Sequence, residues 1–173
     1  SEYGLVKFDG TTWTNFAPTK SITCIAIDDQ GNKWVGTNTG ISKFNGNWAD
    51  YTGPSVSSIA IDPQGNKWMG TYQGLYKFDG TTWTKYTKTN GLISNNVTCI
   101  AIDTQGNKWI GTNAGVSKFD GTTWTNYTTT NGLKSNDVRT ITIDAQGNKW
   151  VGSYQYGTYI SKFNGTAWTN YSI

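Results

Sequence analysis

Histidine is absent from the 173 residues of this chain, and charged residues make up only 14 % of it. The absence of His excludes His general bases, His metal ligands and His-containing catalytic triads. No run of 18 apolar residues occurs, so no transmembrane helix is expected. Aromatic residues reach 14 %. Together with the low charge, they exclude a charge-rich disordered chain and a Leu/Ala-built helical bundle.

Positive charge is also weak and scattered. The formal net charge is +3, and Arg139 is the single arginine. Nucleic-acid-binding proteins usually carry a basic stripe or cluster, and the lysines here are spread along the chain. We therefore predict no nucleic-acid partner and no insertion into a membrane.

Two cysteines, Cys24 and Cys99, lie in the same local sequence, Cys-Ile-Ala-Ile-Asp. This setting indicates a small buried residue. A disulfide is disfavoured, because the repeat described next places a whole unit between the two residues. Their Cα atoms are then expected to lie beyond the roughly 7 Å over which a disulfide can form.

An internal repeat is the main feature of the sequence. Gly-Asn-Lys-Trp occurs four times, with its tryptophans spaced by 34, 41 and 41 residues. Lys-Phe-Asp/Asn-Gly occurs five times, and each copy is followed by another Trp. A period near 40 residues with Trp in each unit is typical of four-stranded propeller blades. The repeated tryptophans of the first motif are Trp34, Trp68, Trp109 and Trp150.

One unit shows the predicted strands clearly. Short segments rich in Ile, Val, Thr, Trp and Tyr alternate with Gly, Asn and Asp, which is the signature of strand–turn–strand structure. The four predicted strands of this unit, A to D, are 99–103, 108–112, 116–119 and 123–127.

The sequence therefore predicts an all-β fold, a β-propeller of four-stranded antiparallel blades with four full blades and an N-terminal half-blade. The predicted boundaries are a half-blade at 1–20 and blades at approximately 21–53, 54–88, 97–129 and 138–173. The half-blade has C and D strands without A and B strands. Three interpretations remain open: a segment of a longer propeller or array, assembly with other copies, or a small ring with an irregular half-blade.

The segment 100–121, together with the linker 130–138, resembles the two-component regulator propeller repeat. This resemblance implies a β-propeller of the kind found in periplasmic sensor regions of bacterial histidine kinases and in secreted bacterial proteins. We therefore expect an extracellular or periplasmic location. The family often has an apolar residue where this chain has lysine, which suggests a more exposed rim at these positions. The lysines concerned are Lys33, Lys67, Lys108 and Lys149.

Two sets of turns are expected on opposite faces of the propeller. The A–B and C–D turns repeat Asp-x-Gln-Gly-Asn and Asp/Asn-Gly, which are the requirements of tight hairpin turns and lack the ligand set of a calcium loop. The B–C loops and D–A linkers vary, and a site must differ from its scaffold. The predicted ligand-binding residues on this variable face are Tyr72, Gln73, Tyr154, Gln155, Tyr156 and Tyr159, with the amides of Asn95 and Asn136 nearby.

Tyrosine rings stack on sugar C–H faces and amides bind hydroxyl groups, so a glycan is the natural ligand class for these residues. The alternative is that the tyrosines only cover the propeller rim. We predict no catalytic residues, no metal site and no cofactor. Asp137, beside Arg139, is the one non-repeated carboxylate on the variable face, whereas acid–base chemistry usually needs two.

The function predicted from the sequence is a non-enzymatic binding or sensor-type module with a carbohydrate or peptide ligand. A second hypothesis is a structural repeat segment of a surface array, oligomer or filament that self-associates through the open half-blade. An enzyme such as a propeller lyase or glycosidase is the weakest of the three, because His is absent and carboxylates are few.

Overall fold

The computed structural model describes residues 4–16, 21–154 and 157–172. In this part of the chain, 18 strands form one two-stranded and four four-stranded antiparallel sheets. Two short 3₁₀ turns lie in the linkers between sheets. Each sheet follows the order of its strands in the sequence. This architecture confirms the predicted fold class, four blades preceded by a half-blade.

The strands group by sheet. The half-blade consists of β1 (Leu5–Phe8) and β2 (Trp13–Phe16). Blade 1 consists of β3 (Ile22–Ile27), β4 (Lys33–Thr37), β5 (Gly40–Phe44) and β6 (Trp48–Thr52). Blade 2 consists of β7 (Val56–Ile61), β8 (Lys67–Thr71), β9 (Gly74–Phe78) and β10 (Trp83–Tyr86). Blade 3 consists of β11 (Val97–Ile102), β12 (Lys108–Thr112), β13 (Gly115–Phe119) and β14 (Trp124–Tyr127). Blade 4 consists of β15 (Val138–Ile143), β16 (Lys149–Tyr154), β17 (Thr158–Phe163) and β18 (Trp168–Ser172).

All four blades share one register. In blade 3, Val97 pairs with Thr112, the pairing shifts at a bulge, and Cys99 then pairs with Gly111. The equivalent shift occurs in the other three blades. The repeated sequence therefore fixes where each strand bends as well as where it lies.

The A strands of successive blades are linked side by side. The hydroxyl groups of Ser57 and Thr98 donate to the carbonyl oxygens of Val97 (2.7 Å) and Val138 (2.8 Å) in the next blade. Thr23 donates in the same way to Val56. Blades 1 to 4 are thus stacked in chain order around the inner strands.

The hydrophobic core lies between the blades, in three clusters. Each contains the tryptophan of a B strand and a phenylalanine from the C strand of the following blade. Trp34, Trp68 and Trp109 are almost fully buried. The tryptophans of the Gly-Asn-Lys-Trp motif are therefore scaffold residues.

Each buried tryptophan is anchored by the aspartate of its own A–B turn. The indole Nε1 of Trp109 donates to Asp103 at 2.9 Å, and the Asn107 amide donates to the same carboxylate. Burial raises the pKa of Asp103. The hydrogen bonds and the Lys149 ammonium together lower it by more than burial raises it, so the net pKa lies below its usual 3.8. The aspartates of the A–B turns are thus structural, as the turn pattern predicts.

The expectation of exposed lysines is wrong for three of the four. Lys67, Lys108 and Lys149 are only 9 %, 7 % and 8 % exposed. Each ammonium crosses to the preceding blade, where it lies 3.5–3.9 Å from the turn aspartate. It also sits 4.8–4.9 Å from the centroid of the buried tryptophan ring. The carboxylate and the ring face offset the cost of removing the ammonium from water.

Lys33 is the exception because it belongs to blade 1. Its ammonium donates to the Gly31 carbonyl of its own turn at 2.8 Å, and the residue is half-buried. The half-blade before it has no A or B strand among the described residues.

The two cysteines are free, which agrees with the prediction against a disulfide. They lie in blades 1 and 3, with blade 2 between them. Each sulfur packs against a B-strand glycine, where a Cβ at Gly36 or Gly111 would come within 2.4 Å of the sulfur. Burial raises the pKa of Cys99 to about 11, so this thiol stays protonated and serves as a packing residue.

Candidate ligand-binding site

The tyrosines predicted as a ligand site fall into two separate groups. Tyr72 and Gln73 lie in the B–C loop of blade 2, where the Gln73 amide donates to the Tyr72 hydroxyl at 3.0 Å. Tyr154 and Tyr159 lie in β16 and β17 of blade 4. Blade 3 stands between the two groups, so the structure does not bring them together as one surface.

Within blade 4, Tyr154 is 54 % exposed and Tyr159 is half-buried beneath the Lys134 ammonium, 5.6 Å from its ring centroid. The other two predicted residues, Gln155 and Tyr156, lie outside the described residues.

The two amides predicted beside the tyrosines have structural partners. The side-chain oxygens of Asn95 and Asn136 accept hydrogen bonds from the backbone N–H groups of Lys88 (2.9 Å) and Thr129 (2.8 Å). Both amides therefore hold the D–A linkers in shape.

A pocket opens on the variable face between blades 1 and 2, at a place that the sequence interpretation missed. It encloses about 350 Å³, which is within the usual range for small-ligand sites. We call it the blade 1–2 pocket. Its lining residues are Gly40, Ile41, Tyr51, Thr52, Gly53, Pro54, Val56, Met69, Thr71, Tyr76 and Trp83.

The pocket exists because one D–A linker is short. Between blades 2 and 3, and between blades 3 and 4, a longer linker turns through a 3₁₀ segment and inserts a leucine between the blades. Leu92 and Leu133 are 2 % and 4 % exposed. The linker between blades 1 and 2, residues 53–55, has no such leucine.

The residues around the inserted leucines match the pocket lining one for one. Leu92 belongs to the cluster that contains Leu75, Val97, Ile110 and the partly buried Trp124. By strand register, their counterparts in the preceding interface are Ile41, Val56, Met69 and Trp83, and all four line the blade 1–2 pocket. The pocket is thus the position of a leucine that this interface lacks.

The glycine before each leucine covers a tryptophan ring. A Cβ built on Gly91 would lie 2.6 Å from Cδ1 of Trp124, and one on Gly132 would lie 2.5 Å from the same atom of Trp168. Both rings are half-buried as a result. Trp83, which has no covering glycine, is 41 % exposed at the mouth of the pocket.

The polar edge of the pocket also differs from the other two interfaces. The side-chain amides of Asn126 and Asn170 donate to the carbonyls of Gly91 (3.0 Å) and Gly132 (3.1 Å). The equivalent position in blade 2 is Lys85, whose ammonium lies 5.2 Å from the centroid of the Tyr76 ring. The pocket therefore combines aromatic and aliphatic walls with one cation at its edge.

The described residues hold no group of three or more His, Cys, Asp or Glu side chains that could bind a metal ion. The carboxylate of Asp137 forms an ion pair with Arg139 at 2.6 Å. The blade 1–2 pocket, with its aromatic and aliphatic walls and the Lys85 ammonium at its edge, is suited to binding an apolar or aromatic group beside an oxygen atom.

Two sequence signals point to the pocket. The tryptophan spacing of 34 residues, against 41 elsewhere, marks the shortened linker. Tyr76 stands where blades 1, 3 and 4 have serine at the same register position. Both signals are departures from the repeat, and neither by itself says that the missing residues leave a cavity.

The comparisons with known proteins agree with the repeat. The family model described as two component regulator propeller matches residues 91–114. This segment is similar to a two component regulator propeller repeat. The match covers the linker leucine, strands A and B of blade 3 and the Gly-Asn-Lys-Trp motif, so it confirms the resemblance stated above. No curated protein matches the sequence.

Solved structures share this propeller fold. One is the extracellular domain of a protein described as the hybrid two component system BT3049 from B. thetaiotaomicron, with 18 % identity over 99 % of this chain and 26 % of that chain and a TM-score of 0.83. Another is virginiamycin B lyase from Staphylococcus aureus, with 17 % identity over 97 % of this chain and 61 % of that chain and a TM-score of 0.80. A third is YCF48 bound to D1 peptide, with 17 % identity over 93 % of this chain and 57 % of that chain and a TM-score of 0.66.

At these identities the likeness shows the fold alone. The chain spans about a quarter of the length of the first two extracellular domains that it matches. Among the described residues, no helix is long and apolar enough to cross a membrane.

Proposed function

We propose that this chain is a non-enzymatic ligand-binding module of a sensor-type propeller, from a secreted or periplasmic bacterial protein. The observation that carries the proposal is the blade 1–2 pocket, a built cavity that departs from an otherwise regular scaffold. The extracellular domains of a two component system and of a one component system among the structural neighbours support the sensor type and the location.

The chemistry of the pocket favours an organic ligand with an apolar or flat surface. Tyr51, Tyr76 and Trp83 supply rings for stacking, and Met69 supplies a deformable floor. Both of the predicted ligand classes, carbohydrate and peptide, fit such walls. The structural neighbour solved with a bound peptide supports the second class.

The test is a titration of the chain with a saccharide panel and a peptide panel, followed by calorimetry and tryptophan fluorescence. We expect at least one panel member to bind saturably, and the Trp83→Ala variant to lose that binding. Tyr154→Ala is the matched control, since Tyr154 is an exposed aromatic residue of the other candidate surface. Binding that depends on Tyr154 and not on Trp83 would move the site to the blade 4 loop. A complete lack of binding would contradict the proposal.

Self-association is the second candidate function, and the exposed inner strand of blade 1 favours it. Ile25 and Ile27 are 45 % and 63 % exposed, and Val6 and Phe8 of the half-blade are each 50 % exposed. Apolar side chains on an exposed face of a sheet are typical of an assembly surface. Light scattering and electron microscopy at high concentration test this function, with Ile27→Glu as the disrupting variant. Discrete monomers at every concentration would contradict it.

A further inference from the structure

We infer that the blade 1–2 pocket binds a Gly-Leu segment of a peptide. The leucine side chain enters between Tyr51, Met69 and Trp83, and the glycine carbonyl faces Lys85. This inference rests on the proposed function and names the ligand class of the same site.

The two other interfaces of the same molecule each hold a linker leucine at this place. Leu92 and Leu133 fill the equivalent space there, and both are nearly fully buried. Because four residues around Leu92 have register counterparts in the pocket lining, the pocket lies where a leucine and its backbone would pack. A buried leucine contributes through the apolar surface that it removes from water.

In both filled interfaces, a glycine before the leucine covers a tryptophan ring. Gly91 and Gly132 lie so close to the rings of Trp124 and Trp168 that a Cβ would clash with the indole. Trp83 presents the equivalent ring without a cover. A residue with a side chain would be held away from this ring, so glycine before leucine is the preferred sequence.

Lys85 stands where the filled interfaces have an asparagine that binds the glycine carbonyl. In the two filled interfaces, the amides of Asn126 and Asn170 donate to the glycine carbonyl. An ammonium replaces the amide at position 85, and a charge-assisted hydrogen bond to a carbonyl oxygen is stronger than a neutral one.

Recognition is expected to end at the leucine. The N–H groups of Ile93 and Lys134, which follow the linker leucines, donate to Ser117 (3.0 Å) and Ser161 (3.2 Å). Tyr76 takes the place of that serine in blade 2 and lines the pocket. Blade 2 therefore lacks the serine hydroxyl that would accept a hydrogen bond from the N–H after the leucine. The Gly-Leu pair is expected to supply the binding.

The experiment uses the peptide acetyl-Thr-Asn-Gly-Leu-Ile-Ser-amide, the sequence of residues 89–94. The matched control peptide carries alanine in place of the leucine. We expect saturable binding of the first peptide by calorimetry, and at least about tenfold weaker binding of the second, because most of the buried apolar surface is lost. Trp83→Ala and Lys85→Met are each expected to weaken binding, and Tyr154→Ala is expected to leave it unchanged.

A second variant, with its own leucine placed in the pocket, tests the inference even if Trp83→Ala does not fold. Replacing residues 53–55 with the linker sequence of residues 88–96 places a leucine in the pocket covalently. This variant is expected to unfold at a higher temperature than the natural chain and to lose peptide binding. Equal binding by the filled and natural chains would overturn the inference, because the peptide would then bind elsewhere.

The remaining outcomes separate the inference from the proposed function. If neither peptide binds but another panel compound binds in a Trp83-dependent manner, the pocket is a ligand site and the Gly-Leu assignment is wrong. Equal binding of the leucine and alanine peptides also overturns the assignment. If binding depends on Tyr154 and not on Trp83, the inference fails and the proposed function keeps a site in blade 4. If no compound of either panel binds, both the inference and the proposed function fail.

Discussion

Two interfaces of the molecule, between blades 1 and 2 and between blades 2 and 3, have the same contacts on one face of the propeller. On the other face their contacts differ. Both have a lysine from the later blade that meets an aspartate and a tryptophan of the earlier one. On the opposite face, one interface holds the buried Leu92 and the other holds an open pocket. The repeat motif thus determines how blades stack, and the linker length determines whether a cavity remains.

Removing a shared aspartate should have the largest effect. Asp103→Ala leaves the indole N–H of Trp109 and the buried ammonium of Lys149 without their carboxylate, and we expect a loss of about 3–5 kcal/mol in the free energy of unfolding. Urea denaturation measures it. Asp144→Ala is the control, because its turn is the same and no further blade supplies a lysine in the described part of the chain. A loss as large for Asp144→Ala would contradict the role given to the inter-blade lysine.

Emptying a filled interface should have the next largest effect. Leu133→Ala is expected to cost about 3 kcal/mol, the usual penalty for a buried leucine that leaves a cavity. The same variant should convert the blade 3–4 interface into a pocket like that between blades 1 and 2. Thermal unfolding gives the first result, and a crystal structure of the variant gives the second. A loss below about 1 kcal/mol would mean that the linker leucines do not hold the blades together.

The inter-blade lysines offer a smaller effect with an internal control. Lys108→Met removes the cation beside the buried Asp62, and a loss of about 1–3 kcal/mol is expected. Lys33→Met changes the same motif position at the open end, where the ammonium binds only a carbonyl of its own turn among the described residues. Its expected effect is within about 0.5 kcal/mol. Parallel denaturation curves of the two variants test the contrast, which would fail if they shifted equally.

Acidification should show the smallest difference. Burial raises the pKa of Asp62, and the hydrogen bonds from Trp68 and Asn66 with the Lys108 ammonium outweigh it, so the net pKa is lowered below 3.8. Asp103 behaves in the same way. A lowered folded-state pKa adds stability that is complete above the unfolded value and is lost as the pH falls below about 3.8. Melting temperatures between pH 6 and pH 2 should therefore fall less steeply for Asp103→Ala than for the natural chain. Identical slopes would contradict this account.

Much of the fold could be predicted from the repeats. The Gly-Asn-Lys-Trp and Lys-Phe-Asp/Asn-Gly motifs placed all four strand types of each blade, since turn residues and β-branched residues act locally. The burial of Lys67, Lys108 and Lys149 could not be predicted in this way. Their partners lie in the preceding blade, and local pattern carries no information on what packs across an interface.

The candidate site was harder to predict, because the pocket is left by linker residues that this interface lacks. Extra tyrosines such as Tyr154 depart from the repeat in the sequence itself, and the prediction placed a ligand site at them. The missing linker residues between blades 1 and 2 show only as a shorter tryptophan spacing. Their significance depends on knowing that Leu92 fills the equivalent space elsewhere.

The hydroxyl bonds between A strands have a consequence for how the molecule opens. Ser57 and Thr98 tie the carbonyls of Val97 and Val138 to the blade before them, and Arg139, at the same position of blade 4, pairs instead with Asp137. Among the described residues, blades 2 and 3 therefore have a full blade on both sides, whereas blades 1 and 4 each have a full blade on one side. Unfolding should start at the outer blades and move inward, as in a short stack of coupled units. The amide protons of β8 and β12 should then exchange with solvent more slowly than those of any other strand.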